Sequence, residues 1–331
     1  MYIYKSNSFN PKYNLATEDY LTRSQEYKDP ILFLWQNDNT IVVGRNQNLA
    51  SEINLQTTEA DNVNIIRRNT GGGTVFQDLG NMNFSIIYTD EDNKGVSMFA
   101  ETLEPVIKTL NRMGVDAKFS GRNDIVLNGK KISGNAMLKY KNRFLQHGTI
   151  LFNANLDKLA KYLTVDKAKI LSKNIASIVA RVTNINSEVE NKIEIQDFWE
   201  ELIKTYEMQG EIKYLTLNEK DLKEIDRLFN EKYNDPNWTF TKNATFDYVH
   251  KTRLEGKGSF EIYQNVVDNV IKDIKIYGDF LGYSGTEELE TKLKNTPYKA
   301  SEIRKVIESV NIKDIFGENI EVQDILDLLI Q

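Results

Sequence analysis

The stretch of this chain with the most residues capable of chemistry begins at Arg67 and ends at Ser85. It reads Arg-Arg-Asn-Thr-Gly-Gly-Gly-Thr-Val-Phe-Gln-Asp-Leu-Gly-Asn-Met-Asn-Phe-Ser. Consecutive glycines let backbone N–H groups approach a bound ligand closely, because no Cβ stands in the way. The arginines add fixed positive charge whose geometry matches a phosphate or a carboxylate. The stretch therefore predicts an anion-binding loop, and the simpler alternative is a tight turn with two surface arginines.

A second informative stretch covers residues 121–136 and contains Asn128-Gly129, a dipeptide typical of a two-residue β-hairpin turn. Such a turn folds the residues before it back against the strand that starts at Lys130. Because successive side chains of a strand point to opposite faces, Lys130 and Lys131 cannot both face one site. The periodicity alone does not decide which of the two does so. Simple solvation is the alternative role for either lysine.

Composition bounds the class of protein. With 331 residues, of which 40% are hydrophobic, the chain is expected to form one large domain or a large and a small one. The net charge of −6 argues against sequence-independent nucleic-acid binding, which requires a basic surface. Neither a bilayer-spanning apolar run nor a signal-peptide pattern is present, so a cytoplasmic protein without a membrane partner is expected. The absence of cysteine excludes disulfides, thiolate zinc sites and thiol nucleophiles.

The elements that position the two stretches follow from the hydrophobic patterns. Residues 63–66 and 84–88 have the pattern of strands, so the glycines are predicted to lie in a loop between strands. Residues 31–35 form a continuous apolar run that is typical of a buried strand, and residues 40–45 are predicted to be its hairpin partner. Asn14 is predicted to cap a helix that carries acidic residues in its early turns.

The pattern of predicted strands and helices changes at about residue 246. Three segments with strand patterns are followed by short helices, which is an α+β arrangement of domain-fragment size. The predicted fold class is therefore α+β. A large mixed-sheet domain is expected over residues 1–245, and a small α+β C-terminal domain over residues 246–331.

The stretch from Arg67 to Ser85 closely resembles the signature of lipoate–protein ligases, roughly R-R-x-[ST]-G-G-G-x-V-[FY]-x-D-x-G-N-x-N-x-S. The resemblance extends over nearly the whole chain. The second dense motif is K-x-x-G-x-A at residues 131–136. Softer matches are found at residues 44–48 (G-R-x-Q-N-like), 147–151 (H-G-T-[IL]-L), 172–184 (S-K-G-x-x-S-[VI]-x-x-R-V-T-N) and 234–238 (N-P-x-W). The chain departs from the pattern at Gln77, where many relatives have histidine, at Asn174 in place of glycine, and at residues 241–244.

The resemblance implies a fold of the biotin/lipoate ligase type and selects Lys131 over Lys130 as the catalytic residue. It also implies the residues that bind ATP and then lipoyl-AMP: Arg68, Gly71, Gly72, Gly73, Thr74, Val75, Phe76, Asp78, Asn81, Asn83, Asn123, Asp124, Lys131, Gly134 and Ala136. Those implied for lipoate are Arg45, Gly72, Lys131 and His147. Asp124 or Asp78 is expected to bind Mg²⁺ or to orient Lys131, and Asp124 is favoured because it lies across the hairpin.

The activity that the resemblance implies is ATP-dependent ligation. Free lipoate is converted to lipoyl-AMP, and the lipoyl group is passed to a lysine of an apo lipoyl domain of a 2-oxoacid dehydrogenase or of the glycine-cleavage H protein. Neither standard nucleotide fingerprint is present, so ATP must be held in another way. One alternative is an ATP-independent octanoyl or lipoyl transferase, although the cysteine that some such relatives use is missing. The other is a non-catalytic lipoyl- or nucleotide-binding module, which Gln77 keeps open.

Overall fold

A computed structural model describes residues 1–89, 98–121, 123–163, 181–240 and 246–330. The chain divides into two compact units. Unit one comprises Met1–Val42, Ala50–Ile66 and Val75–Thr239, and unit two comprises Val43–Leu49, Arg67–Thr74 and Phe240–Gln331. The catalytic and accessory roles that we assign to residues 1–245 and 246–331 stay a prediction.

The main sheet of unit one is mixed. Within the described residues it has eight strands in the order β11-β1-β2-β6-β10-β9-β8-β7, in which β1 pairs parallel with β2 and β11 and the other pairs are antiparallel. The strands are β1 Tyr2–Lys5, β2 Ile31–Trp35, β6 Asn81–Thr89, β7 Lys118–Ser120, β8 Asp124–Leu127, β9 Lys130–Tyr140, β10 Arg143–Leu151 and β11 Lys213–Tyr214. The central strands β2 and β6 are buried along nearly their whole length. Burial explains the continuous apolar sequence of β2, whereas β6 also buries the polar residues Asn81, Asn83 and Ser85.

A smaller sheet carries the strands on either side of the glycines. It consists of β3 Thr40–Val43, β4 Asn64–Arg67 and β5 Val75–Gln77 in the order β4-β3-β5. The glycines thus lie in a loop after a strand, as predicted, but the next strand is β5, which the sequence patterns did not predict, and residues 84–88 belong to β6 of the main sheet. The predicted hairpin of residues 31–35 with residues 40–45 is wrong, because both edges of β2 are already paired with β1 and β6, and β3 pairs with β5 instead.

The helices of the described chain are α1 Pro11–Arg23, α2 Leu49–Glu52, α3 Leu55–Ala60, α4 Met98–Arg112, α5 Leu156–Tyr162, α6 Ile185–Glu188, α7 Ile195–Glu207, α8 Glu219–Leu228, α9 Pro236–Thr239, α10 Glu287–Leu293, α11 Ala300–Glu308, α12 Ile312–Phe316 and α13 Val322–Ile330, with a π-helical turn at Phe229–Tyr233. Among the described residues, no helix is long and apolar enough to cross a membrane.

The predicted cap of α1 is wrong by one helical turn. Asn10 is the N-cap, and its side chain accepts hydrogen bonds from the backbone of Lys12 and Tyr13, while Pro11 takes the first helical position that suits its fixed φ. Asn14 is instead buried inside the helix, where its amide donates to the carbonyl of Gln36 at 2.8 Å. The acidic residues expected in the early turns therefore lie in the middle of a buried helix.

The C-terminal part of unit two is a three-stranded antiparallel sheet covered by helices. The strands are β12 Tyr248–Leu254, β13 Gly258–Val267 and β14 Val270–Gly278, and their inward side chains form one hydrophobic core with those of α10 to α13. The α+β fold class is confirmed. Unit two also contains two segments from far earlier in the chain, Val43–Leu49 and Arg67–Thr74.

Candidate functional site

The residues that the sequence singles out fall into two groups, one inside each unit. The glycine loop, residues 71–73, belongs to unit two, and the structure explains the absence of a side chain differently at each of its three glycines. A Cβ on Gly71 would lie 2.7 Å from the carbonyl oxygen of Phe280, and Gly72 has a φ of +87° that disfavours other residues. A Cβ on Gly73 would meet no heavy atom within 4 Å, and this residue is exposed. Packing therefore does not require a glycine at Gly73, and its backbone is open to solvent.

Arg68 holds the shape of this loop. Its guanidinium donates to the carbonyls of Gly71 at 2.6 Å and Gly73 at 2.8 Å, and to the hydroxyl of Thr70 at 2.9 Å. The side chain is buried, so these charge-assisted bonds are shielded from water. Arg68 therefore fixes the direction of the loop's peptide groups, and its predicted direct contact with a nucleotide stays a prediction.

Arg67 performs the equivalent task for the neighbouring turn. It is buried, and its guanidinium donates to the carbonyls of Gly44 at 2.9 Å, Arg45 at 3.1 Å and Gln47 at 2.6 Å. Burial lowers the pKa of Arg67 to about 10, so the group remains cationic at neutral pH. One buried cation thus organises three carbonyls of the turn that follows β3.

The remaining predicted residues of unit two lie on the same turn and loop. The Arg45 guanidinium is 3.2 Å from the carboxylate of Glu287, and its backbone N–H donates to Thr70 at 2.9 Å. The hydroxyl of Thr74 donates to the side chain of Gln47 at 2.8 Å. The carboxylate of Glu287 thus engages one nitrogen of the Arg45 guanidinium.

In unit one, the hairpin of β8 and β9 carries the predicted catalytic lysine. Asn128 and Gly129 have φ values of 52° and 75°, which confirms the predicted turn with two positive φ angles. The register shifts between Ile125 and Val126, which oppose Ser133 and Lys131 respectively, so Ile132 is the extra residue of a β-bulge. The bulge changes the direction of the side chains just after the turn.

Lys131 lies across the hairpin towards Asp124. Its ammonium is 2.7 Å from the Asp124 carboxylate, and both side chains are about one-third exposed, at 36% and 33%. Asp124 opposes Gly134 in the ladder, and a Cβ on Gly134 would lie 2.8 Å from both Cε and Nζ of Lys131. The spacing K-x-x-G is therefore explained, because the lysine passes directly over the glycine. Lys130 points elsewhere and binds Glu188.

Two asparagines form reciprocal hydrogen bonds at the base of this hairpin. The side chain of Asn123 donates to the carbonyl of Asn135 at 2.7 Å, and that of Asn135 donates back to the carbonyl of Asn123 at 2.9 Å. This exchange fixes the backbone beside Asp124. Ala136 is buried and opposes His147 in the ladder of β9 and β10, so a larger side chain there would press on the imidazole.

The main chain of Lys131 is held from a second side. Its N–H donates to the carbonyl of Arg181 at 2.7 Å, and its carbonyl accepts from the N–H of Thr183 at 2.9 Å. These bonds form a parallel bridge with Val182. The R-V-T-N residues therefore border Lys131, although the preceding part of that motif, residues 172–180 with Asn174, and the departure at residues 241–244 lie outside the described residues.

His147 belongs to a buried polar chain that sequence reasoning only partly identified. Its Nδ1 is 2.9 Å from the carboxylate of Glu18, which also accepts a hydrogen bond from the Ser85 hydroxyl at 2.6 Å. The indole of Trp35 donates to the same hydroxyl at 2.9 Å. Glu18 and Trp35 were missed. The available signal was a glutamate within the apolar stripe of α1, where a solvated charge is not expected.

The residues after the glycine loop have structural partners in unit one. Asp78 accepts backbone hydrogen bonds from Gly80 and Asn155, both at 2.9 Å, so its two oxygens are engaged. Asn81 and Asn83 are buried and joined to one another at 3.3 Å. Val75 pairs with β3 and Phe76 packs against Tyr162. Their predicted contacts with a nucleotide stay predictions.

The donor set does not form a metal centre by itself. Among the described residues, no group of three or more His, Asp or Glu side chains could hold a metal ion. Asp124 is paired with Lys131, and Asp78 is occupied by backbone N–H groups. The arrangement therefore favours the orientation of Lys131 as the role of Asp124.

Comparison with protein families matches both parts of the chain. Residues 10–207 match the family described as Lipoyl protein ligase A/B catalytic domain, and residues 243–329 match Bacterial lipoate protein ligase C-terminus. The lipoate-protein ligase LplJ of Bacillus subtilis (strain 168) is 38% identical over 333 residues, which cover 99% of each chain.

Solved structures give the same neighbours. P. falciparum LipL1 in complex with lipoate aligns with a TM-score of 0.79 and 29% identity, covering 99% of this chain and 98% of that one. A bi-partite lipoate protein ligase from Thermoplasma acidophilum, described with its E2 lipoyl domain, has a TM-score of 0.67 and 28% identity over 74% of this chain and 98% of that one. A lipoate-protein ligase A bound with ATP has a TM-score of 0.64 and 28% identity, covering 72% and 98%.

Proposed function

This chain belongs to the lipoate–protein ligase family and is an ATP-dependent ligase, and we propose that Lys131 is the residue at which lipoate and ATP react. The products of that first step are lipoyl-AMP and pyrophosphate. In the second step the lysine amine of an apo lipoyl domain attacks the acyl carbonyl of lipoyl-AMP, the bond between the acyl group and AMP breaks, and AMP and a proton are released as the amide forms. The related Thermoplasma acidophilum ligase is described with its E2 lipoyl domain, which supports this class of acceptor.

The observation that carries the proposal is the position of the Lys131 ammonium, above Gly134 and 2.7 Å from Asp124. Adenylation brings two anions together, the lipoate carboxylate and the α-phosphate, and a fixed cation offsets their repulsion. A pair of unit charges about 4 Å apart contributes roughly 4 kcal/mol at an effective dielectric constant of 20, and partial exposure of the lysine reduces this figure. Asp124 keeps the ammonium in one place until the substrates arrive.

The first step breaks one bond and forms another. A carboxylate oxygen of lipoate attacks the α-phosphorus of ATP, and the bond to pyrophosphate breaks. Backbone N–H groups stabilise charge that develops on phosphate oxygens. Gly73 supports such a role for the glycine loop, since it is exposed and its glycine is not required by packing.

The second step needs little more than correct placement of the acceptor amine. A free lysine has a pKa near 10.4, so roughly one molecule in a few thousand is neutral at pH 7. The mixed anhydride is reactive enough that holding this amine close to the acyl carbonyl suffices, and no general base is assigned. The acceptors that we infer are lipoyl domains of 2-oxoacid dehydrogenases and the glycine-cleavage H protein. The cytoplasmic location stays a prediction.

Mg²⁺ enters the proposal only as the companion of ATP. Magnesium in ATP-using enzymes is commonly held by one or two carboxylates together with the substrate phosphates. Asp124 is the carboxylate nearest to Lys131 on the hairpin, but its existing ion pair does not fit a dedicated metal site. No step of the proposed reaction is assigned to the metal.

The test is intact-mass spectrometry of an apo lipoyl domain incubated with the protein, lipoate and MgATP, with ATP omitted in parallel. We expect a lipoyl mass gain that requires ATP, and loss of that gain together with pyrophosphate release in Lys131→Ala. The matched control is Lys139→Ala, an exposed lysine on the same strand. Near-normal pyrophosphate release by Lys131→Ala would contradict the assignment. A mass gain without ATP, when a lipoylated carrier protein replaces free lipoate as the donor, would indicate the transferase instead.

A further inference from the structure

Glu188 is a carboxylate outside the predicted site that binds the hairpin of Lys131. It is the last residue of α6, and its side chain is only 16% exposed. One oxygen accepts from the Lys130 ammonium at 2.9 Å and from the Thr183 hydroxyl at 2.8 Å. The other oxygen accepts from the Asn128 amide at 3.1 Å. Three donors from two separate segments therefore meet on one carboxylate.

These two segments are the ones that hold the main chain of Lys131. Asn128 lies in the hairpin turn and Lys130 directly precedes Lys131 in β9. Thr183 lies in the segment whose backbone bonds to both the N–H and the carbonyl of Lys131. The Thr183 N–H donates to the Lys131 carbonyl at 2.9 Å, while the Thr183 hydroxyl reaches Glu188. Removing the carboxylate would therefore loosen the turn and the bordering segment together, leaving the two backbone bonds to Lys131 as the direct link between them.

The charge of Glu188 is constant over the range in which an enzyme is assayed. Hydrogen bonds from Lys130, Asn128 and Thr183 lower its pKa to about 2. At neutral pH the carboxylate is ionised and acts as an acceptor for all three donors. The three hydrogen bonds to the Glu188 carboxylate therefore persist across the pH range of the assay.

We propose that Glu188 is a positioning residue for Lys131, and this inference depends on the proposed role of Lys131 in adenylation. The side chain does not touch the ammonium, which is paired with Asp124. It acts by holding residues 181–183 against the hairpin, so that the Lys131 backbone has one position. A group that holds a catalytic side chain in place affects the rate without contacting the substrate, because small displacements lower the rate steeply.

The test compares Glu188→Gln with Glu190→Gln, which changes an exposed glutamate two residues further along in the same chemical way. In Glu188→Gln the amide loses the negative charge and one acceptor oxygen while keeping the size. We expect kcat for lipoate-dependent pyrophosphate release to fall about tenfold, with KM for lipoate and ATP within about twofold of the wild type. We also expect faster hydrogen exchange at the Lys131 and Thr183 amides, with Glu190→Gln unchanged in both measurements.

Each outcome has a defined meaning. An unchanged kcat, or unchanged exchange at these two amides, would overturn the inference, and a rise in KM at constant kcat would replace positioning by substrate binding. If Glu188→Gln does not fold, Thr183→Val removes the hydroxyl donor at constant shape and is judged by the same criteria. If the wild-type protein shows no ATP-dependent lipoyl transfer, the proposed function fails, while amide exchange still decides whether Glu188 holds the Lys131 backbone.

Discussion

Replacing Gly134 by alanine tests the position of Lys131 without altering any charged group. The new Cβ would lie 2.8 Å from Cε and Nζ of Lys131, whereas ordinary van der Waals contact begins at 3.4 Å. Both atoms belong to the end of a flexible side chain, so the lysine can move away while the backbone stays in place. The substitution therefore displaces the ammonium and leaves the hairpin intact.

The magnitude follows from that displacement. The ammonium has to retreat by roughly half an ångström or more, which disturbs its 2.7 Å contact with Asp124. A misplacement of about 1 Å can lower a rate about 100-fold. That factor corresponds to about 2.7 kcal/mol in activation free energy. The free energy of unfolding should change little, since alanine is favoured over glycine inside a strand by about 0.5–1 kcal/mol and this offsets the crowding.

The assay measures lipoate-dependent pyrophosphate release and urea unfolding on the same samples. Gly210→Ala is the matched control, because a Cβ there meets no heavy atom within 4 Å. We expect Gly134→Ala to lose most activity at nearly wild-type stability, and Gly210→Ala to lose neither. Full activity in Gly134→Ala would refute the reasoning that Lys131 acts from this position. Loss of folding in Gly134→Ala would show that the lysine is not free to move.

Three further predictions concern stability. Gly71→Ala should lower the free energy of unfolding in urea by about 1–3 kcal/mol, since its Cβ would lie 2.7 Å from the backbone oxygen of Phe280. Gly73→Ala should leave the free energy of unfolding unchanged, and equal urea midpoints for the two variants would contradict this packing argument. Arg67→Met should cost at least about 2 kcal/mol in urea unfolding, because two buried carbonyls and one partly buried carbonyl lose their donor. A wild-type midpoint would show that water replaces the guanidinium. Glu188 has a pKa lowered from 4.5 to about 2, so the stability that its charge adds is present above pH 4.5 and lost as the pH falls towards 2. The difference in unfolding free energy between wild type and Glu188→Gln should shrink across that interval, and a constant difference would contradict the assignment.

The sequence predicted those features that depend on local chemistry. The Asn128-Gly129 turn requires two positive φ angles, and both residues adopt them. The strand before the glycines and the loop that holds them were likewise predictable, because the glycines end a strand pattern, but the short strand β5 that follows them was not predicted. The choice of Lys131 over Lys130 came from the family motif. Its physical basis, a β-bulge and a glycine beneath the lysine, became visible only with the strand register.

Features that depend on distant partners could not be predicted from one sequence. The continuous apolar run of β2 is compatible with a hairpin, but its neighbours β1 and β6 occupy both edges. The position of Glu18 within the apolar stripe of α1 signals a buried carboxylate, but its partner His147 lies 129 residues further along and could not be identified from the helix pattern. The hydrogen bonds to Glu188 could not be predicted for the same reason, since their donors are contributed by two separate segments.

Gln77 stands where many relatives have histidine. Its hydrogen-bond partners help to decide whether this chain is a catalyst or a non-catalytic binding module. Its amide nitrogen donates to Asn83 at 2.8 Å, and its amide oxygen accepts from Asn37 at 2.8 Å. A neutral imidazole also offers one donor and one acceptor, so glutamine supplies the same pair of hydrogen-bonding functions. All three residues are buried, so a group that stays uncharged is favoured at this position.

The departure at Gln77 thus preserves the polar network and removes none of the groups, Lys131 and Asp124, on which adenylation is proposed to depend. A Gln77→His variant should accordingly keep ATP-dependent transfer within about threefold of the wild type, about 0.7 kcal/mol in activation free energy. Activity that appeared only in Gln77→His would show instead that the histidine is the catalytic requirement and that this chain has lost it.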